Sequence, residues 1–114
     1  MLKVRIVEEE QTVYIDIDGY ITTKEANEFL KIHKEQTRGI RNSKYNLVVN
    51  PSIFECENDE DIKKVCISLY KSGYRKVYLL DPNNYVMNTI QLSSMEKKLF
   101  TKFVKTVSTK QQIR

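Results

Sequence analysis

The chain has 114 residues, 40% of them hydrophobic and 30% charged, with a formal net charge of +4; this fits a single globular domain spanning 1–114 and excludes a disordered chain. No apolar run approaches the roughly 20 residues of a membrane span, and Met1-Leu2-Lys3-Val4-Arg5 interleaves charge where a signal peptide needs an unbroken apolar core. Two cysteines, Cys56 and Cys66, are too few for a disulfide framework and lack zinc-knuckle spacing, so a reducing, cytoplasmic setting is expected, with no cofactor.

Leu2–Val7 and Thr12–Asp18 alternate apolar and polar residues, the period of half-buried strands, and the polar Glu8–Gln11 between them predicts an antiparallel hairpin. Thr22 with Glu25 forms a capping box. Ala26, Phe29, Leu30, His33 and Thr37 then share one helical face as far as Gly39, the expected C-cap. Tyr45–Val49 is a short apolar run rich in β-branched residues and predicts a strand covered on both faces. Asn58 or Asp59 caps the next helix, whose face is Ile62, Val65, Cys66, Leu69 and Tyr70 and whose stop is Gly73. Lys76–Leu80 is the next buried strand. Asp81-Pro82 opens a third helix over roughly 82–91, with Val86, Met87 and Ile90 as its face, and Ser93-x-x-Glu96 starts a fourth over roughly 94–107. Residues 108–114 read as a frayed tail. The order is β-β-α-β-α-β-α-α, a mixed sheet of α/β class in which a hairpin is followed by parallel crossovers.

The densest chemistry lies in Glu55-Cys56-Glu57-Asn58-Asp59-Glu60-Asp61, five carboxylates in seven residues. It follows the central strand, where α/β sheets present ligands and partners. Its bland reading is capping: carboxylates at a helix N-terminus complement the dipole for about 0.3–1 kcal/mol each. The spacing that wraps calcium is absent, so no metal is expected. Cys56, beside a helix N-terminus, is the one candidate nucleophile, but its carboxylate neighbours oppose a thiolate. His33 has no serine or carboxylate tied to it by spacing, so no triad can be argued. From Ser94 to Arg114 the basic residues Lys97, Lys98, Lys102, Lys105, Lys110 and Arg114 face Glu96 alone, so the chain is bipolar in charge.

Three segments carry a resemblance to the STAS domain family, the fold of anti-sigma factor antagonists. Val13-Tyr14-Ile15-Asp16-Ile17-Asp18-Gly19-Tyr20-Ile21-Thr22 resembles its second strand, glycine turn and first helix start. Asn46-Leu47-Val48-Val49-Asn50 is similar to its central strand, and Ser72-Gly73-Tyr74-Arg75-Lys76-Val77-Tyr78-Leu79-Leu80 to its helix-glycine-strand return. The resemblance implies a single STAS-like α/β domain that binds protein partners, such as a kinase or anti-sigma-like regulator, without catalysis. In regulatory members the loop after the central strand carries a phosphorylatable Asp-Ser-Ser-Gly-like motif. Asn58-Asp59-Glu60-Asp61 falls over it without a serine, so no phosphorylation site is expected.

The partner-binding set expected on this basis is Ile53, Phe54, Glu57, Asn58, Asp59, Glu60 and Asp61, with Ile53 and Phe54 as apolar anchors beside steering charges. Two rival readings exist: a small enzyme or ligand-binding domain using Cys56 with Asp59 or Glu60, and a nucleic-acid or membrane-surface module using the C-terminal lysines. The second is weakened by the lack of an arginine cluster or stacking aromatics on the polar side. Homodimerisation is left open.

Overall fold

The computed structural model describes residues 1–83, 86, 93–109 and 113. Leu2–Val7 (β1) and Thr12–Ile21 (β2) pair antiparallel, Leu2 opposite Ile17 and Val7 opposite Thr12. A short 3-10 turn at Glu8–Glu10 joins them, and Gln11 closes it in the left-handed region at φ 49°. Thr23–Gln36 (α1) leads back to Asn46–Cys56 (β3), which lies parallel to β2. Asp59–Tyr70 (α2), Lys76–Leu80 (β4), Ser94–Phe103 (α3) and Val104–Val107 (β5) complete the described elements. The strands lie in chain order, β1-β2-β3-β4-β5, with every pairing after the hairpin parallel.

Alternation divides the sheet into two faces. Val13, Ile15, Leu47, Val49, Val77 and Leu79 meet Ala26 and Phe29 of α1 and Ile62, Val65 and Leu69 of α2, with Phe100 of α3 packed against them. The opposite face holds Tyr14, Val48, Tyr78 and Val107, with Ile113 packed over them. Leu47 and Val48, neighbours pointing to opposite faces, are both fully buried, as the apolar run predicts for a strand covered on both sides.

Several boundaries differ from the sequence expectation. The helix begun by Ser93 stops at Phe103, not 107, and Val104–Val107 pair with β4 as a fifth strand, Val104 opposite Val77 and Val107 opposite Leu80. Residues 108–114 do not all hang free, because Ile113 is half-buried against the second face. Gly39 is not a left-handed C-cap; α1 ends at Gln36 with Thr37 as its C-cap, and the Thr37 hydroxyl donates to the His33 carbonyl at 2.8 Å. Gly73 does take the left-handed conformation (φ 83°) after α2. The helix expected over 82–91 falls largely outside the described residues. Within them, the Asp81 carboxylate accepts from the Val86 N–H at 3.1 Å.

Candidate functional site

Strands β2 and β3 outrun the rest of the sheet at their carboxyl ends. Pairing of β3 with β4 ends at Val49 opposite Leu79, whereas pairing with β2 continues to Ile21 opposite Cys56. Between Ile17 and Gly19 the register slips: two steps along β2 match three along β3, so β3 carries a one-residue bulge in Ser52-Ile53. Gly19 meets the bulge with φ 70°, inside a continuing strand where the sequence pattern suggests a turn. The result is a two-stranded arm, Asp18–Ile21 with Ser52–Cys56.

The acidic run sits on this arm and on the helix that follows it. Glu55 and Cys56 finish β3; the Glu57 N–H donates to the Ile21 carbonyl at 2.8 Å. Asn58 caps α2, its side-chain oxygen accepting from the Glu60 N–H at 3.0 Å. Asp59, Glu60 and Asp61 make the first turn, where their charge complements the positive end of the helix dipole. What reads as a seven-residue loop is thus a strand end, one linking residue, a cap and a helical turn.

The seven expected contact residues separate by exposure. Ile53 is 82% exposed, while Phe54, its neighbour on the other face, is 3% exposed and belongs to the core, so it has no surface to anchor a partner. Glu57, Asn58, Asp59 and Glu60 are exposed. Asp61 is buried and its carboxylate accepts from the Thr23 hydroxyl at 2.7 Å, tying the first turn of α2 to that of α1. Lys63 reaches both Glu60, at 3.7 Å, and Glu96 of α3, at 2.8 Å. That ammonium, with the Ser93 N–H, holds the Glu96 carboxyl down at about 2.

Tyr20, opposite Glu55 in the register and 58% exposed, joins Ile53 on the arm. The sequence reading missed it by ending the strand at Asp18. The signal was present: Tyr14, Asp16, Asp18 and Tyr20 continue one face of the alternation while Ile15, Ile17 and Ile21 continue the other.

The residues of the rival readings are also placed. Cys56 is half-buried; burial first, then the charges of Asp61 and Asp59, push its thiol up, against the Ile62 N–H that favours the thiolate. Burial pushes the Cys66 thiol up to about 12. His33 is buried against Tyr74, its Nε2 2.5 Å from the phenolic oxygen. Lys97, Lys98, Lys102 and Lys105 are exposed on α3 and β5. Among the described residues no group of three or more His, Cys, Asp and Glu side chains is placed to hold a metal ion. No described helix is long and apolar enough to cross a membrane.

No protein-family model matches the chain, and no curated protein matches its sequence. Solved structures do match its architecture. The anti-sigma factor antagonist SpoIIAA in its unphosphorylated form superposes with a TM-score of 0.58 at 13% identity, over 98% of this chain and 92% of that one. The Bacillus cell fate determinant SpoIIAA in the phosphorylated form gives 0.53 at 15% identity, over 99% and 96%. A DUF3478-family protein of Shewanella loihica PV-4 with a SpoIIAA-like fold gives 0.56 at 9% identity, over 97% and 87%. With a hairpin-led mixed sheet matched along nearly its whole length, the chain has the SpoIIAA-like, STAS-type α/β fold.

Proposed function

We propose that this protein is a non-catalytic regulatory domain that binds a protein partner through the β2–β3 arm and the first turn of α2. The observation that carries the reading is Ile53, a large apolar side chain 82% exposed on the arm, just ahead of the exposed carboxylates of Glu55 and Glu57 in the chain. An exposed apolar side chain beside one sign of charge is the pattern of a steered contact: charge sets the approach and orientation, and the side chain buried on binding supplies the holding energy. Glu57, Asn58, Asp59 and Glu60 with Ile53 and Tyr20 form the contact surface, while Phe54 and Asp61 support it from beneath. The fold likeness to an anti-sigma factor antagonist supports a partner of regulatory kind, a kinase or anti-sigma-like protein with a basic face. Charge at the cap is built into the sequence as carboxylate, so partner choice does not wait on a phosphoryl group there.

Burial and the charges of Asp61 and Asp59 work against a thiolate at Cys56, so the binding reading stands ahead of the enzyme one. Capture from the native cell lysate tests the proposal. Changing Glu57, Asp59 and Glu60 together to Lys is expected to cut partner capture by roughly tenfold or more in a variant that still folds, at a cost of about 0.3–1 kcal/mol for each helical carboxylate lost. Undiminished capture by the folded variant overturns it.

A further inference from the structure

Between α2, α3 and the helix-covered face of β3, β4 and β5 lies a cavity of about 200 Å³. Leu79, Cys66, Leu99 and Phe100 are among the apolar groups that wall it. Protein cores rarely leave such a volume, because the lining atoms forgo dispersion contacts on the open side. Water gains nothing there either: a space with apolar walls stays dry, and one of about 150 Å³ takes up benzene. This cavity therefore suits a chain of about seven or eight carbons or a single substituted ring, and it falls below the roughly 300 Å³ at which cofactor-sized sites begin.

The rim is charged and unevenly satisfied. Lys63 is already paired with Glu96 and Glu60. Lys71 also lines the cavity, lies exposed at the end of α2, and makes no ion pair among the described residues. Along α3, Met95, Leu99 and Phe103 remain 74%, 42% and 47% exposed, and Phe103 stacks on Tyr70 of α2 with ring centres 5.5 Å apart. Leu99 and Tyr70 belong both to this lip and to the cavity wall, so the exposed apolar stripe runs into the interior.

We propose that this cavity binds a small monocarboxylate, its apolar tail between α2 and α3 and its carboxylate at the Lys71 ammonium. The site lies apart from Ile53 and Tyr20, although Lys63 on its rim pairs with Glu60, and it stands whether or not the arm binds a partner. Octanoate is the probe, with octanol as the uncharged control and phosphatidylglycerol vesicles as the membrane control, titrated into the isotope-labelled full chain. Millimolar octanoate is expected to shift the amide signals of Cys66, Ile67 and Leu99 saturably. Lys71→Glu should weaken octanoate by roughly tenfold and leave octanol unchanged, which a merely structural role for the lysine would not do. Cys66→Phe, filling the space, should remove both; should that variant fail to fold, the Lys71→Glu comparison decides. Absence of saturable shifts, equal loss for octanol, or binding to vesicles without uptake of octanoate overturns the proposal.

Discussion

Asp61 shows how one residue of a charged run leaves the surface. Its carboxylate turns inward to the Thr23 hydroxyl, whereas Asp59 and Glu60 remain in solvent. Removing a buried acceptor strands its donor, so Asp61→Ala should cost about 1–3 kcal/mol, and Glu60→Ala should stay within about 0.5 kcal/mol. Denaturant unfolding of the two variants checks the contrast; equal effects would mean that the Thr23 bond contributes nothing. His33 makes a second prediction. Burial lowers its pKa from 6.5, so the folded state disfavours the charged ring that the unfolded chain accepts. The unfolded state then binds more protons below that value, and stability falls as the pH drops through 6.5, levelling off below the folded pKa. His33→Gln should flatten this part of the stability profile, measured by unfolding at stepped pH. Neither partner was legible in the sequence, because Thr23 lies 38 positions from Asp61 and Tyr74 lies 41 from His33, and periodicity reports only which face a residue takes.

At the scale of elements, the pattern of hydrophobic residues specifies type and position better than ends. The hairpin, α1, the buried strands and the Ser93–Glu96 cap were readable because each has a local signal, and both halves of that cap form, with the Glu96 carboxylate accepting from the Ser93 N–H at 3.0 Å. The ends of β2 and β3 were not, because a bulge depends on the partner strand and leaves no mark on its own chain. Val104-Lys105-Thr106-Val107 was absorbed into a helix for a related reason: four residues fit either period, and only pairing with β4 decides. The glycines give a sharper test. Gly19, with φ 70° in the strand, should lose about 1–2 kcal/mol on change to Ala, while Gly39, at an ordinary φ and with open space around its α-carbon, should gain about 0.4–1 kcal/mol. Thermal unfolding of the two single variants measures both; a neutral Gly19→Ala would argue against the left-handed conformation at Gly19.

For the whole molecule, the acidic arm and the lysines of α3 and β5 carry opposite charge, and Lys63 bridges the two regions through Glu60 and Glu96. The Debye length is about 10 Å at 0.1 M salt, so the field of each cluster loses reach as salt rises. Partner association through the arm should therefore slow steeply with ionic strength while dissociation changes little, and an Ile53→Ser variant should show the reverse; stopped-flow kinetics separates the two. The proposed partner surface was legible as charge but not as shape, because Ile53 and Phe54 read alike in sequence and only the pleat sends one outward. The strand order has a temporal consequence as well. Because every strand docks beside its immediate predecessor, the sheet can extend in the direction of synthesis, each addition waiting only on the segment just made. β5, four residues long, is the shortest of the described strands and offers another chain the least template to join.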